Sequence, residues 1–255
     1  MKKLLYIIVS FIGLFSLWQF AVSFGAWNES LFPSPLSVLK GFKELIETGT
    51  LASGIKDSLY RFAIGYGIAA ISAILLGMFL GWFRKIWNFL NPVVQLIRPI
   101  SPIAWLPFVV LWFGIGDLPA IVIIFLAAFF PILLTTISAV GKVEQTYIKV
   151  AKNFGLNQFQ MLTKIVLPSA FPFIATGLHL ALGSAWVFLV AGEMVGAQTG
   201  LGFMIIDARN NLRADMLLAS ILSIGVIGLI LDSLIGLAEK KILSLSGFVP
   251  NERGN

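Results

Sequence analysis

The sequence predicts an all-α polytopic membrane protein, and three observations carry that reading. Only 12% of the residues are charged while 58% are hydrophobic, whereas a soluble domain carries about 25% charged residues to coat its surface. The apolar residues are gathered into runs of about 20, the length that crosses a bilayer core as a helix. The runs also lack the period-2 alternation of a transmembrane barrel. Helices and closed barrels are the only spanning structures, because lipid leaves no backbone group a partner. Helices remain.

Six runs qualify, at residues 4–24, 62–82, 93–113, 120–140, 173–195 and 216–237. The first also fits a cleaved secretory leader: Met1-Lys2-Lys3 precedes it and Ala21-Val22-Ser23 offers a cleavage site. Its apolar run exceeds the roughly 7–15 residues of a leader core, which favours an uncleaved span. Lys and Arg in short loops hold a segment in the cytoplasm. With the N-terminus inside, the inner segments collect Lys2, Lys3, Arg84, Lys85, Lys142, Lys149, Lys152, Lys164, Lys240 and Lys241. The outer ones mix Lys40, Lys43, Lys56, Arg61, Arg209 and Arg213 with acids such as Glu44, Asp57, Asp117 and Asp215. Six spans with both termini cytoplasmic follow. The expected organisation is an N-terminal helix and outer segment over 1–58, a core over 59–241 with a cytoplasmic loop at 142–169, and a cytoplasmic tail over 242–255.

Several function classes drop out. A net charge of +6 invites nucleic acid, but the basic residues are scattered over loops and form no stripe or recognition motif. No cysteine is present, which removes disulfides, thiolate metal sites and Cys nucleophiles. No HExxH, GxSxG or P-loop pattern occurs, so the chain reads as no enzyme, with no cofactor of its own. The one histidine, His179, has no convergent ligand set in sight and reads as structural.

Outside the spans, Ser34 and Pro35 are placed to start a helix with apolar positions Leu36, Leu39, Phe42, Leu45 and Ile46. The more informative segment is 142–168. It is too polar for lipid yet keeps helical spacing at Ile148, Ala151 and Phe154, then at Phe159, Leu162, Ile165 and Val166. Gly155 can take the left-handed turn that ends a first helix. Asn157 is placed to cap a second, with Gln160 at the capping-box position. Phe154 and Leu156 project around the turn, and Pro168 marks the return to the membrane. Amphipathicity alone leaves two readings open: a helix resting on headgroups, or a lever gripped by a partner.

This segment resembles the cytoplasmic docking loop of ABC-importer permeases, written Glu-Ala-Ala, three residues, Gly, nine residues, Ile-x-Leu-Pro. Here it runs Lys149-Val150-Ala151, Gly155, Ile165-Val166-Leu167-Pro168 without a gap; Lys149 replaces the usual Glu and Val150 the usual Ala. Asp57-Ser58-Leu59-Tyr60-Arg61, Leu96-Ile97-Arg98-Pro99, Pro102-Ile103-Ala104-Trp105-Leu106-Pro107 and Phe129-Phe130-Pro131-Ile132-Leu133 are similar to the nitrate/sulfonate/taurine branch. The resemblance implies a type I ABC-importer permease fold in a bacterial plasma membrane. It implies a permease homodimer, two copies of a cytoplasmic ATPase carrying ATP and Mg, and an extracytoplasmic solute-binding protein. The coupling residues it implies are Lys149, Val150, Ala151, Phe154, Gly155, Leu156, Asn157, Gln158 and Pro168. The cargo it suggests is a small organic anion, aliphatic sulfonate first, with taurine, nitrate or a thiamine-precursor pyrimidine behind.

Polar residues inside the spans are costly and mark pathway candidates. Arg98, Ser101, Trp105, Trp186 and Glu193 are the candidates here. A guanidinium suits a bidentate anion, but Arg98 also suits anchoring a broken helix, and Glu193 and Asp232 suit helix–helix pairs. Trp82 and Trp87 near the inner boundary, and Trp27 and Trp112 near the outer, suit interfacial anchoring. Gly77 and Gly81, with Gly177, Ala181, Gly183 and Ser184, would permit close helix approach. The competing class is a secondary transporter or channel. It would place acids at mid-membrane, whereas here they gather toward the span ends.

Overall fold

The computed structural model describes residues 2–25 and 31–245, and among these every regular element is helical. The expected anchor Trp27 and most of the tail lie outside the described residues. Two compact units form, one from residues 1–59 with 198–226 and the other from 60–197 with 227–255.

The first unit holds α1 (Lys2–Phe24), α2 (Pro35–Glu47), the opening turns of α3 (Thr50–Trp82), α10 (Leu201–Asn210) and the opening of α11 (Ala214–Leu245). α2 starts where the sequence says, because the Ser34 hydroxyl accepts the Ser37 N–H at 3.2 Å and Pro35 occupies the first turn. Its buried side is Val38, Gly41 and Leu45. The guanidinium of Arg213 donates to Glu44 at 2.7 Å and to Asp215 at 3.0 and 2.8 Å, joining α2 to the start of α11. Asp215 foremost, then Glu44, holds that guanidinium above its already high ordinary pKa. Much of the pair faces solvent, so it contributes little stability. α3 begins 12 residues before the expected span, since Leu51, Gly54 and Ser58 bury a helical stripe and the Ser58 hydroxyl accepts the Leu201 N–H at 2.9 Å.

The second unit is built on α6 (Asp117–Gly141) and α9 (Leu167–Gly196), whose facing sides bury Ile123, Ile132 and Leu133 and, on α9, Ile174, Leu182 and Leu189. α3 packs on α6 through Gly77 and Gly81, spaced one helical turn apart. A Cβ on Gly77 would sit 2.7 Å from the Thr136 Cβ, and one on Gly81 would sit 2.7 Å from the Val140 Cβ. Gly77 and Gly81 therefore serve packing inside one chain, whereas Gly183 is exposed and a Cβ there would meet nothing within 4 Å. Gly77→Leu is expected to overpack this seam and cost about 1–3 kcal/mol, read as a lower thermal midpoint in detergent. Gly67→Ala meets open space and should leave the midpoint unchanged or higher.

Among the described residues, four helices are long and apolar enough to span, at Thr50–Trp82, Asp117–Gly141, Gln158–Gly196 and Ala214–Lys241. A fifth arises if the bent pair Arg84–Ile97 and Pro102–Phe113 counts as one. The expected first span, 4–24, falls within the single helix α1. The expected span over 93–113, with its proline interruption, is α4 (Arg84–Ile97), a 3-10 turn (Pro102–Trp105) and α5 (Leu106–Phe113), bent by 79°. Proline contributes to the break: Ser101, ahead of Pro102, leaves the helical region at ψ 132°, the conformation favoured before proline. A difference from the expectation lies at Pro168. The helix does not stop there but runs from Gln158 to Gly196 through a π-helical stretch at Leu162–Val166. The wider turn accommodates a proline that would otherwise clash with the carbonyl four residues back.

Candidate functional site

The docking segment folds from local rules. α7 (Gln145–Asn153) ends at Phe154, Gly155 takes φ 76°, and α8 (Gln158–Met161) starts. The Gly155 N–H bonds the Lys152 carbonyl at 2.9 Å and the Leu156 N–H bonds the Ala151 carbonyl at 3.2 Å, closing the first helix. The capping box is complete: the Gln160 N–H donates to Asn157 Oδ1 at 2.8 Å, and the Asn157 N–H donates to Gln160 Oε1 at 3.1 Å. Ala151, Met161 and Val166 face inward, at 5%, 3% and 0% exposure. Lys149, Asn157, Gln158 and Pro168 are exposed, and Leu156 is half-buried. Phe154 stands 79% exposed, projecting as expected. Phe159, whose spacing groups it with Leu162, Ile165 and Val166, is 75% exposed while Val166 is buried. The register slips because α8 is one turn long and a π-helix, with its different period, follows it. Beside the turn lies a hollow of about 880 Å³ lined by Tyr147, Val150, Phe154, Leu156, Lys164 and Phe173, among others. An aromatic knob next to an apolar hollow is what a protein partner can grip.

Of the five pathway candidates, the structure brings Arg98 and Trp105 together. Both line a cavity of about 220 Å³ at the break between α4 and α5, with Phe130, Ser184 and Phe188 across from them. Among the described residues the Arg98 guanidinium makes no hydrogen bond or ion pair, while its backbone N–H bonds the Val94 carbonyl at 3.0 Å. Ser101 is exposed nearby in the chain, at the N-cap of the 3-10 turn. Trp186 is elsewhere: it is 6% exposed and packs edge-on against Phe62, ring centroids 5.6 Å apart.

Glu193 is also elsewhere. Its side chain is fully buried and accepts Arg61 Nη1 at 2.6 Å, while Arg61 Nε donates to Asp117 at 2.7 Å. One guanidinium thus holds α3, the first turn of α6 and the last turns of α9. Arg61 was counted among outer loop charges, and its side chain is 3% exposed instead. A signal existed in the sequence: Arg61 falls in the helical row Ser58, Arg61, Phe62, Gly65, whose other members are apolar or small, and a charge in such a row needs a partner.

His179 takes the structural role expected of it. Nδ1 meets Glu239 at 2.6 Å and Nε2 meets Asp232 at 3.0 Å, with Thr176 donating to Glu239 at 2.7 Å, so α9 is clamped to the far part of α11. Both bonds form together only when both ring nitrogens carry protons.

Known proteins share this architecture. The family model described as a binding-protein-dependent transport system inner membrane component matches residues 73–244. A Bacillus subtilis protein named "Putative aliphatic sulfonates transport permease protein" is 33% identical over 228 residues, which cover 89% of this chain and 83% of its own length. The bicarbonate transport system permease protein of Synechococcus elongatus is 36% identical over 245 residues, covering 91% and 87%. Among solved structures, an inward-facing form of the MetNI methionine ABC transporter superposes with a TM-score of 0.65 at 21% identity, covering 77% of this chain and 96% of that one. That likeness shows the fold. The chain belongs to the binding-protein-dependent transport inner-membrane components, as a multi-pass permease subunit of the nitrate/sulfonate/taurine branch of ABC importers.

Proposed function

We propose that the chain carries a small organic anion, aliphatic sulfonate first, through a pathway that includes the cavity at the α4–α5 break. The observation that carries this reading is Arg98: a guanidinium at a cavity wall, with no carboxylate partner among the described residues, inside the span-forming part of the fold. Such a group is costly in a membrane unless an anion or water meets it. The bidentate geometry of a guanidinium suits a sulfonate's two oxygens. The B. subtilis relative's name points to the same cargo.

The working unit is a homodimer of this permease in a bacterial plasma membrane, with six spans per chain and both termini cytosolic. Two copies of a cytoplasmic ATPase hold ATP and Mg, and an extracytoplasmic solute-binding protein delivers the anion. The docking segment at 142–168, through Phe154, Gly155 and their neighbours, seats on the ATPase. ATP-driven movement there biases the permease between its inward- and outward-open forms. It does so only by the difference in ATPase affinity for the two forms, which requires a stiff connection. The capped α8 and its unbroken continuation into α9 supply one.

The test is uptake of a labelled alkanesulfonate by proteoliposomes holding permease, ATPase and binding protein. Uptake should need ATP and all three proteins. Arg98→Gln should lower it by tenfold or more, as expected for losing a charged hydrogen bond worth roughly 1.5–3 kcal/mol, with the ATPase still attached. Uptake by the permease alone, as a secondary transporter or channel would show, overturns the reading. Unchanged uptake by Arg98→Gln overturns the role of that side chain.

A further inference from the structure

We propose that the notch between the end of α6 and the start of α4 binds a phosphate group, supplied by the headgroup of an anionic phospholipid. The inference rests on the reading that the docking segment faces the cytosol, because the notch opens where α6 leads into that segment.

The notch has a volume of about 350 Å³ and is lined by Arg84, Trp87, Asn88, Ser138 and Lys142, with Gly81, Ile137 and Gly141 completing it. No acidic side chain is among them. Among the described residues neither Arg84 nor Lys142 is in an ion pair, whereas Arg61 and Arg213 each hold two carboxylates. Arg84 commits one N–H, from Nη2 to the Gly141 carbonyl at a long 3.3 Å, out of the five that a guanidinium offers. Lys142 lies over the Phe173 ring, its Nζ 4.9 Å from the centroid, a contact that uses charge but no hydrogen-bond acceptor.

The backbone adds to this imbalance of donors over acceptors. The carbonyls that end α6 are already engaged: Arg84 bonds Gly141, the Lys142 N–H bonds Ser138 and Ala139, and the Val143 N–H bonds Val140. α4, by contrast, opens with an uncapped first turn: no side chain bonds it from Phe83, and no acid lies in the turn. The Ile86 and Trp87 N–H groups bond the Phe83 carbonyl at 2.9 and 3.1 Å, and the positive end of the helix dipole favours an anion. The walls are rigid where it matters. Gly81 packs directly on Val140, and a side chain on Gly141 would meet Arg84 Nη2 at 2.8 Å, so bare glycine seats the guanidinium. Two unneutralised cations beside a half-buried Trp, at the boundary where aromatic rings anchor in headgroups, make a site for a phosphate diester on the cytoplasmic leaflet.

The experiment uses the full permease with its ATPase in phosphatidylcholine nanodiscs doped with phosphatidylglycerol, and native mass spectrometry counts the retained lipid. Wild type should retain phosphatidylglycerol in preference to phosphatidylcholine. The Arg84→Gln, Lys142→Gln double variant should bind it roughly 30-fold more weakly, from the loss of two basic groups near a membrane surface. A charge-matched Lys40→Gln, Lys43→Gln variant should bind as wild type does. Equal retention of the two lipids, undiminished binding by the first double variant, or equal loss in the charge-matched one overturns the site. If millimolar inorganic phosphate protects the wild type and phosphatidylglycerol does not, the phosphate chemistry stands and the lipid source falls. ATPase attachment is scored in the same samples. Lipid preference absent with the ATPase attached sinks this inference alone, whereas wild type without ATPase sinks the docking reading.

Discussion

Arg61→Leu should lower the stability of the permease by about 3–5 kcal/mol, the cost of removing the cation from a buried ion pair. The stranded group is Glu193, whose side chain has no exposure at all. Asp117 is 55% exposed and returns to water when the guanidinium is gone, so its share of the loss is small. The effect of single changes should therefore be unequal. Glu193→Leu leaves Arg61 with Asp117 still 2.7 Å away and should cost less than Arg61→Leu. The double variant should recover part of the loss, because replacing a buried pair by apolar side chains of similar volume is often close to neutral. Thermal midpoints of the three variants in one detergent form the cycle. A coupling near zero, or Arg61→Leu within about 1 kcal/mol of wild type, would show that the pair does not hold the helices.

What the sequence made legible was local. Ser34 and Pro35 start α2, Gly155 reverses the chain, and Asn157 with Gln160 closes a capping box. Each depends on residues within about one helical turn, so spacing alone was enough. The break after Arg98 was also readable, because proline acts on its immediate neighbours. What stayed hidden was long-range or depended on helix period. Arg61 and Glu193 are 132 positions apart, and no pattern in either segment names the other. The π-stretch at Leu162–Val166 shifts the faces after Phe159 and carries the helix past Pro168. A reading at 3.6 residues per turn misses both. The cavity at Arg98 lay between: the residue was found from its cost in lipid, but its wall from Phe130, Ser184 and Phe188 needed α6 and α9 in place.

Phe154→Asp should separate folding from coupling. Phe154 is 79% exposed and its backbone already closes α7, so the substitution should leave the thermal midpoint nearly unchanged, as surface changes do within about 0.5 kcal/mol. If Phe154 is the anchor that seats the docking segment on the ATPase, losing it should cost 2 kcal/mol or more of attachment, roughly a 30-fold weakening, as for a central aromatic at an interface. Gly155→Val attacks the same element by a different route. A β-branched residue at φ 76° is strained by about 1–3 kcal/mol, so the turn reshapes and Phe154 points elsewhere. Both variants should then lose the ATPase on co-purification and lose ATP-dependent uptake together. The physical cause differs, contact in one and presentation in the other, and Phe154→Trp discriminates them. Phe154→Trp keeps an aromatic on an intact turn and should retain most of the attachment. If Phe154→Asp keeps wild-type attachment and uptake, the exposed ring is not the grip, and the docking turn must work through its polar face at Lys149, Asn157 and Gln158.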